Sequence, residues 1–205
     1  MLSLQTVEPN TLELLKWLSS QPELQDTRLV GGTALALQYG HRQSVDLDFC
    51  GRLPEDREAL LELIHGIGKV TVLNQSKAIL QTVINDVKVD FVDYSRYPWI
   101  DEPVKRDGFI LASEKDIAAM KVNAIIGRGT RKDFIDLYIL LRHYSLAEIL
   151  DFYRQKYPEF SEYRALLSMT YFEDAEMQDM PRMFIDTSWD EMKSTIINAV
   201  KAYQS

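Results

Sequence analysis

The sequence has little of the chemistry that disulfide bonds or zinc sites require. It contains one cysteine, Cys50, and three histidines, His41, His65 and His143. One thiol cannot form an internal disulfide, and the histidines fall in separate predicted elements without the spacing of metal ligands. These absences disfavour a zinc hydrolase, and we interpret Cys50 as a small buried apolar residue.

Long apolar runs are also missing. No stretch approaches the roughly 20 apolar residues that a membrane-spanning helix needs. The first 15 residues, MLSLQTVEPNTLELL, have neither a basic segment nor a small-residue cleavage site. We therefore expect a cytoplasmic protein that makes no use of a membrane.

Positive charge is scarce relative to negative charge. The chain has 23 Lys and Arg residues against 31 Asp and Glu residues, a net charge of −8. Because neutralising phosphates requires clustered cations, this balance argues against a broad nucleic-acid surface that ignores base sequence. Local basic patches remain at Lys105 and Arg106 and at 127–132, GRGTRK.

What the sequence does contain is a folded α+β pattern. Apolar residues make up 46% of the 205 residues, enough for one core or two small lobes. Strand periodicity gives way to helical periodicity near residue 110, which predicts a mixed lobe at 1–110 and a helical lobe at 111–205. Helices are predicted at 11–20, 33–39, 54–64, 113–126, 131–143, 145–157, 161–170, 173–177 and 190–203, and strands at 28–30, 45–50, 69–73, 78–84 and 87–94.

The predicted strand at 45–50, VDLDFC, alternates apolar and acidic residues with period two. Asp46 and Asp48 should therefore share one face, where two like charges repel and a divalent cation would relieve the repulsion. Magnesium and manganese prefer such oxygen ligands and leave positions for substrate phosphates, which suits nucleotidyl transfer. Taken alone, an Asp-x-Asp pair is more often an ordinary exposed strand segment.

A glycine turn precedes these carboxylates. Gly31 and Gly32 lie between a short strand and a helix, where the backbone could approach a phosphate and the helix N-terminus offers N–H groups to it. Thr33 follows the turn, and Arg42 and Ser44 could reach triphosphate oxygens. The alternative is a plain tight turn, and we place His41 in a surface loop.

The segment 29–49, LVGGTALALQYGHRQSVDLDF, resembles the opening motif of the AbiEii and AbiGii toxin family of nucleotidyltransferases. The resemblance implies the DNA polymerase beta-like nucleotidyltransferase core, a mixed sheet flanked by helices, followed by a helical C-terminal lobe. It also implies a third acidic residue on a later strand, a lysine, and a Lys/Arg-Asp-x-x-Asp element in the helical region.

The third carboxylate by this resemblance is Asp90, in VKVDFVDY. A predicted hairpin with a turn at Asn85 and Asp86 puts Lys88, Asp90 and Val92 on one strand face. Asp93 lies on the opposite face near the strand end, where a turn-capping aspartate is common, so we prefer Asp90.

The family's lysine corresponds to Lys121, which the resemblance places in the active-site cleft. Its Lys/Arg-Asp-x-x-Asp element corresponds to 131–137, RKDFIDL, which carries Asp133 and Asp136. These two aspartates have two interpretations, which are about equally favoured. Either they are catalytic, or they are structural, in which case Asp133 interacts with the helix dipole and Asp136 pairs with a cation. Arg128 could bind triphosphate or an RNA backbone.

Together these features predict a Mg²⁺- or Mn²⁺-dependent transfer of an NMP from a nucleoside triphosphate to an acceptor hydroxyl. Asp46, Asp48 and Asp90 would hold metal, and Lys121 and Arg128 would offset triphosphate charge. By resemblance, the acceptor is tRNA and the protein is the toxin of a toxin–antitoxin or abortive-infection pair with a cognate antitoxin. The alternatives are a protein or small-molecule acceptor such as an aminoglycoside, and a non-catalytic partner-binding module on the same fold.

Overall fold

The chain divides into two units. The computed structural model describes residues 1–54, 56–159 and 161–205. The first unit comprises Met1–Tyr97 with Pro103–Ala112, and the second comprises Pro98–Glu102 with Ser113–Ser205. A mixed sheet with helices precedes an all-helical region, so the predicted α+β class is confirmed.

The first unit is built on a mixed seven-stranded sheet. Its strands are β1 Thr27–Val30, β2 Leu47–Gly51, β3 Val70–Gln75, β4 Ile79–Ile84, β5 Val87–Asp93, β6 Val104–Arg106 and β7 Phe109–Leu111, and its helices are α1 Pro9–Ser19, α2 Gly31–Tyr39 and α3 Arg57–His65. The strand order is β3-β4-β5-β2-β1-β7-β6. β2 runs parallel to β5, and β1 runs parallel to β7, while the other neighbouring strands are antiparallel.

The β4–β5 hairpin forms with the predicted two-residue turn. Asn85 and Asp86 both have positive φ, 48° and 66°, as a type I′ turn requires. The Asn85 side chain secures the turn by accepting a hydrogen bond from the Lys69 backbone N–H at 3.0 Å. The turn fixes the register of β4 against β5, and therefore determines which β4 residue lies opposite each residue of β5.

Two sequence predictions in this unit were wrong in detail. β2 begins at Leu47 rather than at residue 45, because Val45 is 39% exposed and lies outside the sheet. The β6–β7 hairpin was missed, although Asp107 and Gly108 form its turn with positive φ. Cys50 is buried, as predicted.

The second unit is helical over its described residues. Its helices are α4 Glu114–Gly127, α5 Arg131–Leu141, α6 Leu146–Lys156, α7 Glu162–Met169, α8 Glu173–Glu176 and α9 Trp189–Gln204. The Ser113 hydroxyl caps α4 by accepting from the Asp116 N–H at 3.1 Å, and a buried ion pair joins Asp116 to Lys156 at 2.7 Å. Asp116 also accepts from the Ile100 N–H, which holds segment 98–102 to this unit. Over the described ranges, every helix is too short or too polar to cross a bilayer.

Candidate active site

Asp48 and Asp90 lie side by side on neighbouring strands. β2 and β5 pair in parallel with Asp48 opposite Asp90. The flanking residues on these strands point into the core, where the Phe49 and Phe91 rings stack with centroids 5.7 Å apart. Because side chains alternate across a strand, the two aspartates lie on the face opposite to these rings. Asp46 immediately precedes β2.

The glycine turn closes over Asp48. β1 pairs with the other edge of β2, with Val30 opposite Asp48, so α2 begins beside this carboxylate. Gly31 has φ +69°, and a Cβ placed there would lie 2.6 Å from Asp48 Oδ2. The turn therefore needs glycine both for its backbone conformation and for space. Because an N-terminal helix end favours negative charge, the position suits a carboxylate or a phosphate.

Arg42 supports the turn from behind. Its side chain is 1% exposed, its Nη1 donates to the Gln43 carbonyl at 3.0 Å, and a Cβ on Gly32 would lie 2.2 Å from its Nη2. The guanidinium of Arg42 therefore packs against Gly32, and its contact with triphosphate oxygens stays a prediction.

Thr33 and Ser44 tie α2 to the segment that leads into β2. The buried Thr33 hydroxyl donates to the Asp46 carbonyl, and its Oγ1 lies 2.9 Å from Ser44 Oγ. These bonds fix the backbone that carries Asp46 relative to the turn. His41 is also buried, at 1% exposure, so the expectation of a surface-loop histidine was wrong.

Asp90 is held through one of its two oxygens. Gln81 Nε2 donates to Oδ2 at 2.9 Å, and Lys88 Nζ lies 3.1 Å from the same atom. Oδ1 is buried and accepts no hydrogen bond from the residues that the structure describes. A buried carboxylate oxygen without a partner is costly, which suggests that a cation completes its environment.

Lys88 lies in the electric field of all three carboxylates. Partial burial lowers the pKa of its ammonium, but the hydrogen bond and charge of Asp90 and the charges of Asp48 and Asp46 raise it more. The net result is a pKa above the ordinary value of a lysine, so Lys88 carries its positive charge throughout the neutral range.

Asp93, the competitor of Asp90, caps a turn. Its Oδ1 accepts from the backbone N–H of Ser95 at 3.0 Å and from the Ser95 hydroxyl at 2.6 Å. Across the described ranges, no group of three His, Cys, Asp or Glu side chains is arranged as a ready metal cage. Magnesium sites that also bind phosphate commonly use one or two carboxylates and complete the shell with substrate and water, which fits the Asp48–Asp90 pair.

Lys121, Asp136 and Arg128 belong to the second unit, where they join one buried ion cluster with Asp133. Lys121 Nζ lies 2.6 Å from Asp136 Oδ2 and 3.0 Å from Asp133 Oδ1, and Arg128 Nε lies 2.9 Å from Asp133 Oδ2. The two aspartates and Lys121 are almost fully buried, whereas the Arg128 side chain is 64% exposed. The cluster therefore links α4 to α5, and Arg128 is its solvent-facing member.

Asp133 is the most strongly perturbed member of this cluster. Burial raises the pKa of its carboxyl, but Lys121, Arg128 and the Thr130 hydroxyl together lower it well below its usual range. Asp133 therefore carries its negative charge at neutral pH. The Asp133 and Thr130 side chains also form a capping box at the start of α5.

Gln81 and Lys88 are the functional candidates that the sequence analysis did not single out. The sequence contains a signal for each of them. Lys88 shares the strand phase of Asp90, and a two-residue turn at Asn85 and Asp86 sets Gln81 opposite Asp90.

Similarity to known proteins agrees with this geometry. The sequence model of the family described as nucleotidyl transferase AbiEii toxin, type IV toxin–antitoxin system, matches residues 13–107. An uncharacterized protein of Aquifex aeolicus (strain VF5) is 36% identical over 184 residues, which cover 87% of this chain and 88% of the relative.

Two solved structures are similar in fold. A candidate nucleotidyltransferase from H. pylori aligns with a TM-score of 0.57 at 19% identity, covering 96% of this chain and 94% of that one. The antibiotic-resistance factor ANT(2'')-Ia aligns with a TM-score of 0.56 at 15% identity, covering 70% and 89%. At these identities the likeness concerns the fold.

Proposed function

Because this chain belongs to the AbiEii family of nucleotidyl transferases, we propose that Asp46, Asp48 and Asp90 form its catalytic centre for moving an NMP from a nucleoside triphosphate to an acceptor hydroxyl. The observation that carries the proposal is the pairing of Asp48 with Asp90 across β2 and β5, directly beside the Gly31 turn. A carboxylate pair and a helix N-terminus at one place are what binding a metal-bound phosphate requires.

The residues present fit a divalent cation. The donors are carboxylate oxygens, which Mg²⁺ and Mn²⁺ prefer, and the partnerless buried Oδ1 of Asp90 is an oxygen that such an ion would satisfy. Asp46, Asp48 and Asp90 would hold it. When bound, the ion neutralises charge on the phosphates during transfer. As an alternative to holding the ion, Asp90 is proposed to take the proton of the acceptor hydroxyl.

The triphosphate is proposed to lie against the turn at Gly31 and Gly32, where backbone N–H groups at the start of α2 donate to it. The side chains beneath the turn act indirectly. Arg42 fixes its backbone, and Thr33 and Ser44 fix the segment that carries Asp46. Their contribution is preorganisation, because donors already in position need no rearrangement during the reaction.

Lys121, Arg128 and Asp136 remain proposed contributors from the second unit. Arg128 is the best placed of them to meet a phosphate, because its guanidinium is mostly exposed. Lys121 and Asp136 are paired with each other, so their first role in this proposal is to hold the cluster that positions Arg128.

The acceptor is proposed to be tRNA, with an antitoxin as the natural partner of the protein. The antitoxin is supported by the family description, which is that of a type IV toxin–antitoxin component, and tRNA follows from the resemblance of the sequence to the toxin family. A small-molecule acceptor is the second candidate, because the acidic chain would attract a cationic substrate.

The test is incubation of the full chain with each labelled nucleoside triphosphate, Mg²⁺ or Mn²⁺, and either total tRNA or an aminoglycoside panel. Asp48→Asn and Asp90→Asn should lower NMP transfer at least about 100-fold, because several kcal/mol of charge stabilisation is lost. Asp93→Asn is the matched control, since Asp93 is a turn-capping carboxylate only three residues from Asp90, and it should keep near-wild-type activity. Full transfer by either of the first two variants would refute the assignment.

A further inference from the structure

Lys88 gives the carboxylate site a positive charge of its own. Its Nζ contacts Asp90 Oδ2 at 3.1 Å and lies within range of the charges of Asp48 and Asp46. Without a nearby cation, the carboxylates of Asp46, Asp48 and Asp90 would repel one another. The ammonium lies where it can offset this repulsion.

The contact with Asp90 is one that Lys88 can give up. Its side chain is 44% exposed, against 13% for Asp90, so the ammonium can move into water at little cost. Gln81, by contrast, is neutral and comes from the neighbouring strand with Asp90 directly opposite it. The two residues contact the same oxygen but have different roles, because Gln81 orients the carboxylate and Lys88 neutralises its charge.

We propose that Lys88 is a built-in counter-cation of this site, which screens the three carboxylates before a divalent ion arrives and competes with that ion for them. The inference rests on the proposed function, because it takes Asp46, Asp48 and Asp90 as the metal ligands. It implies that Lys88 lowers metal affinity. The site would then bind a divalent ion more readily when the ion is bound to a triphosphate than when it is bare. The negative charge of the triphosphate offsets the combined positive charge of the ion and Lys88.

The experiment measures Mn²⁺ binding to the full chain without nucleotide, by the electron paramagnetic resonance signal of unbound Mn²⁺. Lys88→Met removes the charge and keeps most of the side-chain volume, and it should lower the Mn²⁺ Kd by roughly three- to tenfold. Lys88→Arg keeps the charge and should stay within about twofold of wild type.

Two controls separate charge competition from other effects. Lys69→Met removes one positive charge from an exposed position of the same unit, and it should leave the Mn²⁺ Kd within about twofold of wild type. Gln81→Leu removes the other hydrogen bond to Asp90 Oδ2 without changing charge, and it should weaken Mn²⁺ binding, because the carboxylate loses its orientation.

Thermal unfolding supplies a second readout. In EDTA, Lys88→Met should melt below wild type, because the carboxylates are no longer screened, and saturating Mn²⁺ should raise its midpoint by more than it raises that of wild type.

Unchanged or weaker Mn²⁺ binding by Lys88→Met would overturn the inference, because Lys88 would then orient Asp90 and not compete with the ion. The proposed function would stay intact. Absence of Mn²⁺ binding by wild type, together with metal-independent NMP transfer, would overturn both.

Discussion

Gly31 is the residue at which the site has least freedom to change. Its positive φ disfavours a side chain, and Asp48 Oδ2 leaves no space for one, because this atom lies 2.6 Å from the point that a Cβ would occupy. Gly31→Ala should lower the free energy of unfolding by about 1–2 kcal/mol, because alanine is strained in the left-handed region. It should also weaken metal binding by displacing Asp48. Urea unfolding followed by circular dichroism measures the first effect.

Gly127→Ala is the matched control for this substitution. Gly127 is in the last turn of α4, and a Cβ there would meet no atom within 4 Å among the residues that the structure describes. Alanine should leave stability unchanged or raise it by up to about 1 kcal/mol. Equal effects of the two substitutions would contradict the role assigned to Gly31.

At the residue scale, strand periodicity placed the carboxylates, but it could not show which way the supporting side chains turn. Asp48 follows from period-two alternation, whereas Asp90 was chosen from the phase of the predicted hairpin together with the family resemblance. Arg42 is predicted to contact triphosphate oxygens because a planar guanidinium suits phosphate. Its burial depends on the space that Gly32 leaves behind the turn, which is a tertiary contact that no local pattern encodes.

Among the elements, α4 and α5 depend on ionised side chains for their association. Because the folded-state pKa of Asp133 is depressed, its ionised form stabilises the fold above its unfolded pKa, and this stability is lost as pH falls below about 4. Asp133→Asn should destabilise the protein by about 3 kcal/mol at pH 7, since Lys121 loses a buried partner, and it should flatten the loss of stability in acid.

Urea unfolding at several pH values from neutral to acid measures both effects. Asp151→Asn is the comparison, because Asp151 forms an exposed ion pair with Arg154, and such a pair contributes at most about 1 kcal/mol. If the acid dependence of Asp133→Asn matched that of wild type, the cluster would not be the source of that dependence.

At the element scale, long periodic segments were predicted well and short strands poorly. Helices α4 and α9 each begin after a serine cap, and α9 also has an apolar stripe at Met192, Ile196 and Val200, so their positions follow from local signals. β6 and β7 have three residues each, too few to show a period, and only the turn at Asp107 and Gly108 marks them. The extent of β2 was misjudged because Val45 continues the apolar alternation although it lies outside the sheet.

For the molecule as a whole, the net charge of −8 limits how RNA can bind. Arg131 is already engaged, since its Nε donates to the Ala175 carbonyl at 2.8 Å and its guanidinium lies 4.8 Å over the Trp189 ring. The other cations of the predicted RNA-binding patches are Lys105, Arg106, Lys132 and Arg128, of which Arg128 is ion-paired with Asp133 but has a side chain that is 64% exposed.

The affinity for tRNA should therefore depend only moderately on salt. With about four phosphates neutralised at roughly 0.7 counterions each, the slope of log Kobs against log salt concentration should be about −3. Fluorescence anisotropy of labelled tRNA over a NaCl series measures it. Lys132→Gln should reduce the slope by about 0.7. A slope of about −6 or steeper would show that cations outside these patches carry the contact.

The pairing of β2 with β5 has a kinetic consequence for the folding of the chain. Asp48 and Asp90 are adjacent in the sheet but 42 residues apart in sequence, so their juxtaposition requires closure of a long loop, after the β4–β5 hairpin has formed locally. Until that closure, a growing or partly unfolded chain has a carboxylate at Asp48 without its neighbour. The proposed metal site can therefore form only after β2 has paired with β5.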